Sequence, residues 1–159
     1  MKKEQIYKIT CIVLMLDQII KLYINHFMKL YDHIKIIPNF FSIFYVKNTG
    51  AAFSILKDNT IILVLISALV IVVLHNYIKK EESFTKLSIY AFGLTMGGIF
   101  GNLIDRIIHH GVIDYLSFTF GNYAFPVFNL ADIAITLGVG LLVLDWIIET
   151  KKKGLKKWV

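Results

Sequence analysis

Four aspartates, Asp17, Asp105, Asp114 and Asp132, stand in or beside apolar stretches of the length that crosses a bilayer. A charged side chain at the bilayer centre costs about 3 kcal/mol on insertion scales, so each is expected to pair, to line a polar cavity or to act. Two carboxylates held close do not both ionise; one keeps its proton, and the pair offers a general acid and a general base together. Such a pair activates water against an amide without a metal or a covalent intermediate. Other catalytic sets are missing. The sequence has no HExxH and no GxSxG, and no serine stands in an obvious Ser–His setting. His109 and His110 are adjacent, so on a helix or strand they diverge and make a poor metal site. Cys11 is the only cysteine and forms no internal disulfide; it reads as a small apolar residue in a packed helix. On spacing alone any two of the four aspartates could pair, and a proton- or ion-coupled membrane transporter would use the same residues.

The elements that must position these groups are membrane helices. The chain has 159 residues, 57% hydrophobic and only 18% charged, where a soluble domain carries nearer a quarter. Spans are expected at about 6–24, 61–78, 87–108 and 128–148, each near the roughly 20 apolar residues that a bilayer core requires. The first opens on "MKK" like a secretory signal, but Asp17 and Lys21 interrupt it and no small-x-small site follows, so it reads as a retained span. Lys2, Lys3 and Lys8, then Lys79, Lys80 and Lys86, then Lys151, Lys152, Lys153, Lys156 and Lys157 fall on one side if four spans alternate. By the positive-inside rule that side is the cytoplasm and holds both termini. The net charge of +6 is therefore read as an anchor on anionic lipid and not as a nucleic-acid surface.

The segments 27–60 and 109–127 are then extracytoplasmic. "FSIFYV" is aromatic and β-branched and "NTG" is a turn signal, which predicts a small sheet or hairpin at the membrane surface. The second segment reads as an aromatic loop with turns at Gly111 and Gly121. In this arrangement Asp17 and Lys21, Asn102, Asp105 and Arg106, and Asn129 and Asp132 all reach one level near the outer face, with Asp114 in the connection beside them. Asp17 and Lys21 are four apart and share a helix face. Asp105 and Arg106 are neighbours, point differently and do not neutralise each other; Arg106 is expected to snorkel outward or to reach a carboxylate elsewhere. Gly93, Gly97 and Gly101 form a small-xxx-small face for close helix packing. Asp145, beside Trp146, reads as an inner-interface residue.

Five segments in order resemble the motifs of the bacterial lipoprotein signal peptidase (type II signal peptidase) family: "DQIIK" from Asp17, "NTGAAFS" from Asn48, "GGIFGNLIDR" ending at Arg106, "GVIDYL" from Gly111 and "FNLADIAITLG" from Phe128. Tyr115 stands where phenylalanine is commoner, and Ile133 where a small or polar residue is usual. The resemblance implies one integral membrane domain over 1–159, mainly α, with four transmembrane helices and a small extracytoplasmic sheet or hairpin. It implies an aspartyl endopeptidase that removes the signal peptide of prolipoproteins just before a diacylglyceryl-modified cysteine. It implies Asp114 and Asp132 as the catalytic dyad, with Asn48 and Gly50 near the substrate. Asn102, Asp105, Arg106 and Asn129 would hold the site and the lipidated substrate, and Asp17 and Lys21 would brace the first span. No cofactor or metal is implied, the partners are prolipoproteins and membrane lipid, and a monomer is expected.

Overall fold

A computed structural model of the protein describes residues 2–50, 56 and 58–155. Ala51 to Ser54 of the "NTGAAFS" segment, and Lys156 and Lys157 of the charge pattern, lie outside the described residues. The described elements run α1 (Lys2–Phe27), β1 (His33–Ile37), β2 (Phe41–Asn48), α2 (Thr60–Lys80), α3 (Lys86–His109), β3 (Val112–Phe120), β4 (Tyr123–Ala124) and α4 (Leu130–Leu155).

α3 is the centre of the bundle, packed against α1, α2 and α4. Its glycines explain how. Residues four apart share a helix face, and Gly93, Gly97 and Gly101 all face α1. A Cβ at Gly93 would lie 2.6 Å from Ile9 Cβ, one at Gly97 2.9 Å from Thr10 O, and one at Gly101 against the Asp17 carboxylate. Gly98 looks the other way, onto the backbone of α4 at Ala131, and on α4 a Cβ at Gly138 would lie 2.8 Å from Ala91 O. The expected small-residue seam is therefore the α1–α3 contact, and a second seam joins α3 to α4. At the N-terminal end of α3, Thr85 caps the helix by accepting from Ser88 N (3.0 Å) and donates to Asp145 Oδ1 (2.7 Å), so Asp145 ties α4 to the start of α3.

Thr60–Lys80, Lys86–His109 and Leu130–Lys152 are each long and apolar enough to cross a membrane. In α3 61% of the apolar window is buried, against 11% in α2 and 17% in α4, so α2 and α4 turn mostly apolar surface outward. The 26-residue α1 buries Ile6, Thr10, Val13, Asp17, Lys21 and Ile24 and exposes Ile12, Leu16, Ile19 and Tyr23. Cys11 corrects its sequence reading. It is exposed, because Thr10 takes the packed face and Cys11 lies a third of a turn beyond it.

The segment expected as a second loop is instead sheet. Among the described residues β1-β2-β3-β4 form one antiparallel sheet in that order. "VIDYLSFTF" is almost wholly β-branched and aromatic, which suits a half-buried pleated surface. Ile113 and Tyr115 pack with Tyr45 of β2 on Ile24 of α1, and Tyr45 donates its hydroxyl hydrogen to Asn25 Oδ1 at 2.7 Å, which seats the sheet on the C-terminal end of α1. Gly121 makes the β3–β4 turn at φ 62°. At the other expected turn it is His110, at φ 54°, that closes α3 in the left-handed conformation. Gly111 lies instead under β2, where a Cβ would be 3.1 Å from Asn48 O.

Gly98→Ala is expected to destabilise the bundle by about 1–3 kcal/mol through overpacking against Ala131, a fall of several degrees in a thermal melt in detergent. Gly140→Ala, where a Cβ meets nothing within 4 Å, is expected to leave the melt unchanged or slightly raised.

Candidate active site

The site is built outward from Lys21. This side chain is 1% exposed, and its ammonium has three donors and no acceptor. It reaches Asp17 Oδ2 at 2.8 Å, Asp105 Oδ2 at 2.9 Å and Asn102 Oδ1 at 2.9 Å. Each aspartate then fastens a further element. Asp17 Oδ1 accepts from Ala131 N (2.9 Å), in the first turn of α4 where the backbone N–H groups lack helical partners. Asp105 Oδ2 accepts from Ile113 N in β3 (3.0 Å). Gln18, which the sequence reading passed over, places Nε2 within 3.0 Å of Asp105 Oδ1, 3.2 Å of Gly101 O and 3.3 Å of Asp17 Oδ2. Its position within "DQIIK" was the only available signal. Thus Asp17, Lys21 and Asp105 form one buried ion triad that joins α1, α3, β3 and α4.

The other two aspartates meet on Asn129. This residue precedes α4, and its Oδ1 accepts from Asp132 N (3.0 Å) while Asp132 Oδ2 accepts from Asn129 N (3.1 Å). The reciprocal pair is a capping box, which satisfies two of the unpartnered N–H groups where α4 begins. Asn129 Nδ2 also donates to Asp114 Oδ1 at 2.7 Å and to Asn102 Oδ1 at 3.2 Å. Asn102 Nδ2 donates to Asp132 Oδ1 at 2.8 Å. Asp114 comes from β3, opposite Val46 of β2, and its Oδ2 accepts from Asn48 Nδ2 at 3.0 Å. Asn48 closes the expected turn by accepting from Gly50 N (3.0 Å). One asparagine therefore touches both carboxylates, and the sequence-predicted residues fall into two linked clusters.

A cavity of about 930 Å³ opens in front of them. Asp114, Asp132, Asn48, Asn102 and Arg106 line its polar end, and most of the remaining wall is apolar, from Val46, Ile99, Val112, Phe125, Val127, Phe128, Ile133, Ile135 and Leu137. Ile133, the departure noted beside Asp132, is part of that wall. Arg106 corrects its expectation. It neither snorkels outward nor forms an ion pair among the described residues. Its guanidinium donates to the Asn102 and Gly50 carbonyl oxygens at 3.4 and 3.3 Å, and its Nε is buried without a hydrogen-bond partner among the described residues.

Burial drives the Asp114 carboxyl up from 3.8 to about 7, and the neighbouring Asp132 charge adds to the rise. Hydrogen bonds from Asn48 and Asn129 and the Lys21 charge oppose it without cancelling it. Burial likewise raises the Tyr115 hydroxyl, which stays neutral.

Fold and site together define a multi-pass membrane protein whose acidic cluster faces a mainly apolar cavity. A family model described as signal peptidase (SPase) II matches residues 9–148. A lipoprotein signal peptidase of Symbiobacterium thermophilum is 43% identical over 141 residues, covering 89% of this chain and 93% of that one. One of Pasteurella multocida is 37% identical over 141 residues, covering 86% and 85%. A solved bacterial membrane enzyme superposes with a TM-score of 0.84 at 31% identity, over 91% of this chain and 88% of that one. The chain belongs to the signal peptidase II family and is a protease by that membership. The family gives the transporter reading no support.

Because the Asp114 pKa is raised on folding, the folded state binds more protons than the unfolded state between about pH 4 and 7, so this group's contribution to stability falls as pH rises through that window. The melting temperature of the wild type is expected to decline from pH 5 to pH 8 more steeply than that of Asp114→Asn; parallel pH series in detergent check the difference in slope.

Proposed function

We propose that the chain is a membrane aspartyl endopeptidase that removes the signal peptide from diacylglyceryl-modified prolipoproteins, cutting just before the lipidated cysteine. The observation that carries this reading is the joint hold of Asn129 on Asp114 and Asp132 at the polar end of one cavity. Family membership supports the substrate class, since the relatives are lipoprotein signal peptidases.

At neutral pH Asp114, buried and beside a second carboxylate, carries the proton, and Asp132 is the base. Asp132 takes one proton from water as the water oxygen attacks the scissile carbonyl carbon, and Asp114 gives its proton to the carbonyl oxygen. The neutral tetrahedral intermediate then collapses. Asp132 protonates the departing amine, a hydroxyl of the intermediate returns a proton to Asp114, and the C–N bond breaks. Both carboxyl groups end as they began, and the chemistry uses these residues and water alone. The unpartnered Nε of Arg106 offers a donor for a substrate carbonyl at the cavity wall.

The cavity wall takes Ser67 from α2, Ile99 from α3 and Leu137 from α4. A slot between α2 and α4 suits a substrate that is itself a membrane helix with acyl chains in the lipid. We take α1 as the fourth span: it is 26 residues long, turns an apolar face outward and buries Asp17 and Lys21. The lysine pattern then puts both termini in the cytoplasm and the dyad near the outer face of the bacterial membrane. The 159 residues act as one membrane domain. A single copy holds every group used here, so the monomer is the working unit.

Purified protein in detergent is expected to cleave a diacylglyceryl-modified precursor, and Asp114→Asn and Asp132→Asn are each expected to lose at least about 100-fold in kcat. The wild-type rate is expected to fall as pH rises through about 7, where Asp114 loses its proton. Activity surviving either substitution would refute the dyad, and equal cleavage of an unlipidated precursor would refute the substrate class.

A further inference from the structure

Three side-chain amides touch the two carboxylates, and an amide can present either end. What stands at its oxygen decides which. Asn48 Oδ1 accepts from Gly50 N, and Asn129 Oδ1 accepts from Asp132 N. A backbone N–H only donates, so both amides are held with Nδ2 toward Asp114. Asn102 has no such backbone partner. Its Oδ1 accepts from Lys21 Nζ at 2.9 Å, and from Asn129 Nδ2 at 3.2 Å. Turned over, Asn102 would set its NH2 against the ammonium and Asn129 Nδ2 and its oxygen against the Asp132 carboxylate, three repulsive contacts in a buried site.

We propose that Lys21 is a positioning residue: it fixes the orientation of the Asn102 amide and thereby keeps a hydrogen-bond donor on Asp132 Oδ1. Lys21 forms no hydrogen bond or ion pair with Asp114 or Asp132, and it does not line the cavity. Apart from the charge it sets against Asp114, it acts on the site through Asn102, which does line the cavity and donates to Asp132 at 2.8 Å. The ammonium suits the task because it has no acceptor to offer, whereas a neutral amide or hydroxyl in its place would leave only Asn129 Nδ2 and the Asp132 carboxylate to resist the turned-over amide. The consequence for catalysis rests on the proposed Asp114–Asp132 chemistry; the orientation of Asn102 does not.

Two readouts keep these apart. The first is side-chain amide NMR of the 15N-labelled protein in detergent, with the Asn102 signals assigned by their loss in Asn102→Ala. One set of Asn102 Nδ2H2 resonances is expected in the wild type, and doubled or broadened ones in Lys21→Met. Two sets in the wild type, or an unchanged single set in Lys21→Met, would overturn the proposal whether or not the protein cleaves anything. The second is a kinetic cycle on the lipidated precursor. Lys21→Met is expected to lower kcat about 10- to 100-fold with KM unchanged, the scale on which misplaced groups cost rate. Lys21→Met/Asn102→Ala is expected to be no slower than Asn102→Ala alone. An undiminished Lys21→Met loss in the Asn102→Ala background would show that Lys21 does not act through the amide. Removing Lys21 strands two buried carboxylates. If Lys21→Met fails to fold, both readouts are taken in Asp17→Asn/Asp105→Asn, which keeps oxygen acceptors for Ala131 N and Ile113 N while removing the charges. Failure of the wild type to cleave the precursor would count against the proposed function, and the NMR readout would still decide the role of Lys21.

Discussion

One ammonium, shared out of contact with water between Asp17 and Asp105, is the constraint on which the polar end of the helix bundle depends. A buried ion pair is a poor source of net stability because both partners lose their hydration, yet removing one partner costs about 3–5 kcal/mol. The triad thus acts less as glue than as a demand for one arrangement. It holds two negative charges against one positive, and Ala131 N, Ile113 N and Gln18 Nε2 supply the remaining hydrogen bonds. Those partners lie on α1, β3 and α4. The glycine seam serves the same demand: a side chain at Gly101 would occupy the space of the Asp17 carboxylate. Close approach of α1 to α3 lets Asp17 reach α4, and the placement of α4 sets Asp132.

The second cluster faces a different problem. Asp114 and Asp132 sit at the polar end of a mainly apolar cavity, where desolvation works against charge. Around Asp114 the amides of Asn48 and Asn129 favour the charged form, and burial still prevails. The site is polar enough to hold two acids in place and dry enough that one stays protonated near neutrality. That balance depends on the sheet. Asp114 is carried by β3, whose neighbours Ile113 and Tyr115 are buried, and the β2–β3 pairing sets Asn48 nearby.

Much of this was legible in the sequence. Apolar runs marked the helices, the four-residue glycine spacing marked the α1–α3 seam, and the lysine pattern brought the polar residues to one level before any contact was known. "NTG" did form its turn, with Asn48 accepting from Gly50 N. What spacing left open was which aspartates belong together. That partition is tertiary: Asp17 and Asp105 converge on Lys21, and Asp114 and Asp132 on Asn129. Partners that are backbone N–H groups, such as Ala131 and Ile113, carry no residue-type signal at all. The β3–β4 extension was missed because an aromatic stretch between two spans reads equally as an interfacial loop until β2 pairs with it. Cys11 and Arg106 were misplaced because helical phase and local carbonyl acceptors decided their surroundings, not their hydropathy.

The capping box where α4 begins limits how such a protein can be made sturdier. At the third helical position, the residue that best completes a capping box is glutamate or glutamine, and Asp132 is one methylene shorter. Lengthening it would move a carboxyl group that must also face the cavity beside Asp114. On the proposed chemistry, helix nucleation and bond cleavage therefore compete for one side chain. Gains in heat tolerance have to come from elsewhere, such as the helix ends remote from this site.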